Sequence, residues 1–170
     1  MLKVGEKVMY GAAGACTVTE TVTRRFGEAQ KEREYYVLTP VRDGRTTLYV
    51  PVDNAALQAK MRRLLSPEEL KELVRSLPKE DAPWIADEKT RQEKYKDTLK
   101  NGNRRELIAM TRTLYRHRKQ VKAMGRRLHV TDERLFQEAE KLLCDEFAVV
   151  LGMEPRQVIA FLFEKKGEEV

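Results

Sequence analysis

Fourteen lysines and arginines fall between residues 84 and 130 against five acidic side chains, so this one window carries a formal charge of +9. Within it Arg105, Arg112, Arg116 and Lys119 are spaced by 7, 4 and 3 residues, which sets them on one face of a helix. Arg104 adjoins that row, and Lys89, Arg91, Lys94 and Lys96 crowd the stretch before it. The chemistry such a cluster supports is the holding of phosphates, which is salt-sensitive and indifferent to base sequence. Around residues 89–96 the acids Asp87, Glu88, Glu93 and Asp97 also permit local pairing, so a solvated helix face is an equal reading there. On the later row only Glu106 opposes the basic residues. Trp84, the single tryptophan, sits at Asp81-Ala82-Pro83-Trp84-Ile85. It has two readings: it anchors the next helix onto its bundle, or it is an apolar wedge for a base step approached from the minor groove.

Catalytic chemistry finds little to build on. The two histidines, His117 and His129, have no metal-ligand spacing, and there is no nucleophile elbow, P-loop or glycine-rich dinucleotide turn. Cys16 and Cys144 are too far apart in sequence for a zinc knuckle or a disulfide framework, and Cys144 adjoins an apolar stripe that buries it. Glu68-Glu69 and Asp132-Glu133 fall in first turns of helices, where carboxylates complement the helix dipole. These features predict a protein that is not an enzyme, with no cofactor, metal or small-molecule substrate. The whole chain of 170 residues has a net charge of +6, because residues 1–56 and 57–83 contribute +1 each and residues 131–170 contribute −5. With no apolar run near the ~20 residues of a membrane span and no signal-peptide pattern, a cytoplasmic location is expected.

Two kinds of element must position these side chains. Up to about residue 56 the pattern alternates. A strand near Val4 to Tyr10 stops at Gly11-Ala12-Ala13-Gly14, and a second from Cys16 to Val22 places Cys16, Val18 and Val22 on one side. A turn comes near Phe26-Gly27. Tyr35-Tyr36-Val37-Leu38-Thr39 makes a third strand, and Asp43-Gly44 turns the chain into a fourth through Thr46 to Val50. Short strands this dense suit a small SH3- or Tudor-like barrel. From residue 57 the period becomes helical. Ser66-Pro67-Glu68-Glu69 is a capping box, a second helix spans about 86–99 and ends at Asn101-Gly102, and Asn103 with Glu106 caps a third that runs to Gly125. A fourth opens at Thr131-Asp132-Glu133, and Pro155 starts a fifth. The expected class is α+β: a barrel over residues 1–56, then an all-α bundle over 57–170.

Leu2-Lys3-Val4-Gly5-Glu6-Lys7-Val8-Met9-Tyr10, Tyr36-Val37-Leu38 and Thr47-Leu48-Tyr49-Val50-Pro51-Val52-Asp53-Asn54-Ala55 resemble the CarD/CdnL family of bacterial transcription regulators, whose first module also occurs in transcription-repair coupling factor. Pro83-Trp84-Ile85, Arg105-Glu106-Leu107, Thr113-Leu114-Tyr115-Arg116-His117 and Ala139-Glu140-Lys141-Leu142-Leu143 are similar to its helical domain. The resemblance implies a Tudor-like barrel that binds the β subunit of RNA polymerase working with the housekeeping sigma factor, with Arg24, Arg25 and Tyr49 on the contact. It implies a helical domain that meets promoter DNA at the upstream edge of the bubble, through Trp84 and the basic residues above, and stabilises the open complex without base-specific readout. That places the protein at the nucleoid. Two departures from the pattern stand out: Tyr10-Gly11-Ala12-Ala13-Gly14 where members often have Pro and His, and Tyr49 where some have arginine. A stand-alone, non-specific nucleic-acid-binding protein is the alternative that the basic window alone would support.

Overall fold

The structure, a computed structural model, describes residues 1–26, 31–101 and 103–164. The chain divides into two compact units, residues 1–65 and 66–170. In the first, β1 (Lys7–Tyr10), β2 (Ala15–Arg24), β3 (Arg33–Pro40), β4 (Leu48–Pro51) and β5 (Met61–Arg63) form one antiparallel sheet in the order β4-β3-β2-β1-β5. One face gathers Val8, Cys16, Val18, Tyr36, Leu38 and Val50 into a core, with Leu2, Leu57 and Met61 packed on it. The Tyr36 hydroxyl, carried into that core, accepts a 3.1 Å hydrogen bond from the Leu2 amide, so its burial leaves no polar group stranded.

Strand β2 does not keep one alternation. Val18 pairs with Leu38 and Glu20 with Val37, leaving Thr19 as an extra residue in a bulge, its hydroxyl donating to the Val37 carbonyl at 3.1 Å. Beyond the bulge the faces exchange. Thr21 stands opposite core Tyr36, and Val22 stands opposite Tyr35 on the other side of the sheet, not beside Val18 as simple alternation suggests.

The first unit ends at Leu65 rather than at residue 56. Asn54 caps the short helix α1 (Ala55–Gln58) by accepting from the Leu57 amide, and the chain then returns as β5, pairing Tyr10 with Met61 and Val8 with Arg63. Three residues, two of them arginine, are too few to show an alternating pattern, so β5 is set by its partner strand.

The second unit contains α2 (Pro67–Arg75), α3 (Glu88–Asn101), α4 (Arg104–Ala123), α5 (Val130–Leu151) and α6 (Pro155–Ile159), the last running into a π-helical turn over Ala160–Glu164. Both expected capping boxes form: Ser66 with Glu69, and Asn103 with Glu106. Leu70, Ile108, Leu114, Leu135, Phe136, Leu143 and Phe147 are fully buried, and Cys144 lies among them. The N-cap of α5 is His129, whose Nδ1 accepts from the Thr131 amide at 3.2 Å. This frees Asp132 from capping. Helix α4 ends in a Schellman motif: Gly125, at φ 71°, donates to the Lys122 carbonyl, and the Arg126 amide reaches back to Val121. Of the expected turn positions, Gly27 and Gly102 lie outside the described residues.

Candidate functional site

The bulge in β2 has a direct consequence for the outer face of the sheet. By register, Arg24, Val22, Tyr35, Val37 and Tyr49 all stand on the side away from the core. There Tyr35 and Tyr49 meet edge-on at 6.4 Å, and Phe26 packs against both, 5.0 Å from Tyr35 and 5.1 Å from Tyr49. Arg24 lies over the Tyr49 ring at 5.3 Å and donates to its hydroxyl at 3.3 Å. Phe26 remains 46% exposed and Tyr49 37%, so the cluster offers apolar ring surface with one guanidinium at its rim. Arg25 points elsewhere and forms an exposed 2.9 Å ion pair with Glu32. Two of the three expected barrel residues thus share one patch. Phe26 and Tyr35 complete it, and the sequence signal for them was only their aromatic type.

The basic window of the second unit behaves otherwise. Arg91 is 6% exposed and bound through two nitrogens to Asp132, itself 1% exposed, at 2.7 and 3.2 Å. It also donates to the carbonyls of Ile85 and Ala86. Arg91 is therefore not a surface cation, and Asp132, in the first turn of α5 as expected, is its counter-ion. Arg104 is likewise turned inward, its Nε donating to both oxygens of buried Glu146 at 2.8 and 2.9 Å. Counting acids along α3 and α4 does not find these partners, because they come from α5, 41 and 42 positions away in sequence. A fork of donors meeting a carboxylate is the geometry that lets a guanidinium be buried at all.

Residues 76–84 lie along α4 and engage its row of cations one after another. Arg105 donates to the Ser76 carbonyl and hydroxyl at 2.9 and 2.7 Å, Arg112 to the Pro78 carbonyl at 3.0 Å, and Thr113 to the Ala82 carbonyl at 3.1 Å. Arg116 forms an ion pair with Asp81. Trp84 then stacks on His117, centroids 3.6 Å apart and planes 13° from parallel, with the Arg91 guanidinium 4.5 Å from the same indole. Burial, and then the charge of Arg91, hold the His117 imidazole below its usual pKa, with Asp132 opposing them, so it stacks as a neutral ring.

Exposed cations remain on two other stretches. On α3, Lys89, Lys94 and Lys96 face solvent. Lys119 is exposed on α4, with its ammonium 4.7 Å from the Tyr115 ring, whose hydroxyl raises the pKa of the lysine by hydrogen bonding. At the corner between α4 and α5, Lys122, Arg126 and Arg127 carry no ion pair among the described residues. With Arg118 and Arg134 they line a groove of about 730 Å³ in which Glu133 is the acid and Leu128 and Val130 the apolar lining. Val130 is 82% exposed. The sequence count registered these charges but not their convergence, which the Schellman turn at Gly125 produces.

Among the described residues no group of three or more His, Cys, Asp or Glu is placed to hold a metal ion, and no helix is long and apolar enough to cross a membrane. Residues 2–65 match the family model described as the CarD-like/TRCF RID domain, and residues 72–163 match that of the CarD C-terminal domain. No match was found to a curated protein.

Proposed function

Because the chain belongs to the CarD family, whose members are non-catalytic transcription factors that interact with RNA polymerase, we propose that it docks on the polymerase β subunit through the outer face of its sheet and touches promoter DNA with its helical unit. The carrying observation is the exposed cluster of Arg24, Tyr49 and Phe26, which lies within the residues matching the polymerase-interacting domain. Aromatic surface bordered by an arginine is the composition of interface anchors, where few residues supply most of the binding energy.

The DNA contact is with phosphates near the upstream edge of the bubble. It is made by Lys89, Lys94, Lys96 and Lys119 together with the corner cations Lys122, Arg126 and Arg127, all of them exposed. Nothing in that set reads base edges, and no recognition helix is needed. Docking supplies the effective concentration, so a weak phosphate contact suffices to prolong the open complex formed with the housekeeping sigma factor. Of the two roles open to Trp84, its stack on His117 supports anchoring. The fold and the charge pattern favour action at the nucleoid, in the cytoplasm.

The test is capture of the isolated β lobe by the full chain. Arg24→Glu and Tyr49→Ala should each weaken it by about 2 kcal/mol, or roughly 30-fold. Capture unaffected by both changes would move the docking face elsewhere. Strong DNA binding at physiological salt without polymerase would instead favour a stand-alone nucleic-acid-binding protein.

A further inference from the structure

The row of arginines on α4 is neither free nor well neutralised. Arg105, Arg112 and Arg116 face residues 76–84, and most of what they meet there is neutral: two main-chain carbonyls and a serine hydroxyl. One carboxylate, Asp81, serves two of the guanidinium groups. Its Oδ2 pairs with Arg116, while its Oδ1 lies 3.9 Å from Arg112 Nε and, though buried, accepts no hydrogen bond from the described residues. Burial also lowers the pKa of Arg112. The covering segment is held firmly only at its ends. Leu77 is buried, and Trp84 is stacked on His117, but Lys79, Glu80, Ala82 and Pro83 between them are exposed and belong to no helix or strand. Between those ends the ties are polar: the Pro78 and Ala82 carbonyls and Asp81.

From this we infer that the Arg112–Arg116 pair is a covered phosphate-binding site, that Asp81 occupies it as a built-in anion, and that residues 78–83 lift away when a phosphate diester of DNA takes the place of the carboxylate. A phosphate offers acceptor oxygens enough for both forks, where Asp81 leaves one guanidinium without a hydrogen-bonded anion. Exchange of one anion for another keeps the arginines compensated throughout, so the opening strands no charge. The inference rests on the proposal that the helical unit contacts DNA, and it adds a regulated part to that contact: the exposed lysines and corner arginines meet the duplex first, and Arg112 and Arg116 join only after the cover yields.

The test uses the full chain with two probes, inorganic polyphosphate and duplex DNA of arbitrary sequence, over a range of salt. Asp81→Asn keeps the shape of the side chain and removes its charge, Asp81→Glu keeps the charge, and Glu80→Gln makes the same change of charge at an exposed neighbour. Asp81→Asn should bind both probes about tenfold more tightly and steepen the log–log salt dependence by about 1 to 2, the increment for one or two more neutralised phosphates. Asp81→Glu should bind as the unaltered chain does, and Glu80→Gln should stay within about twofold of it. Equal effects of Asp81→Asn and Glu80→Gln would overturn the cover. Tightened binding of polyphosphate with no binding of duplex would leave the cover standing and remove the DNA reading. A measurement free of mutation completes the set: amide hydrogen exchange across residues 79–83 should quicken when the unaltered chain binds polyphosphate, and slower or unchanged exchange there would overturn the proposal.

Discussion

The two units use arginine in opposite ways. On the sheet, Arg24 stands outside, laid over the exposed Tyr49 ring. In the helical unit Arg91 and Arg104 turn inward onto Asp132 and Glu146, and the lysines of α3 keep to the solvent. Within the helical unit, the contrast between buried arginines and solvated lysines comes from side-chain chemistry. A planar fork locks onto a carboxylate in fixed geometry and tolerates burial, whereas an ammonium on a flexible stem stays hydrated and acts as a mobile point charge. The sheet therefore presents a shaped patch suited to one protein partner. The helical unit, whose basic residues concentrate between 84 and 130, uses part of that charge as internal staples and offers only the remainder to a polyanion.

The sharpest way to break this comparison is Asp132→Ala. If the Arg91–Asp132 pair is a buried staple, its loss leaves an uncompensated guanidinium and lowers the stability of the helical unit by about 3–5 kcal/mol in urea unfolding monitored by Trp84 emission. A loss within about 0.5 kcal/mol would class the pair with ordinary surface charges. Next in size is the exchange of the corner cations. Replacing Lys122, Arg126 and Arg127 together by alanine should flatten the salt dependence of duplex binding by up to about 2.7, three phosphates' worth, and barely touch stability. Arg104→Ala should do the reverse, costing stability without altering the slope.

The smallest expected effect is on pH. His117 has its folded pKa held below the usual 6.5, so the unfolded chain binds the proton first. Its contribution to stability is complete above 6.5 and is lost as pH falls through the lower folded value. Trp84 emission and the unfolding midpoint should therefore shift as pH is brought from about 7.5 to about 5. The shift should be absent in His117→Gln.

Much of this architecture could be read in the sequence, for identifiable reasons. Capping boxes at Ser66 and Asn103 are local, decided within four residues, and both form. What escaped were pairings across distance. Strand β5 exists because β1 receives it, and although Asp132 does sit in the first turn of α5, nothing near it in sequence points to Arg91. Among the site residues, type and exposure were readable for the lysines, but the partners of the arginines were not. Simple alternation puts Val22 on the wrong side of the sheet because a bulge carries no periodic signature.

That bulge makes β2 behave like a sentence with two reading frames. Cys16 and Val18 are read in the first, and Thr21, Val22 and Arg24 in the second, with Thr19 as the inserted letter between them. Removing one residue at the bulge would merge the frames and leave every later side chain on the face it now occupies. Removing one anywhere from Thr21 to Thr23 would invert the rest of the strand and drive Arg24 into the core. The docking patch thus depends on a count of residues as much as on their identity, and within β2 only the bulge can lose a letter without changing the meaning.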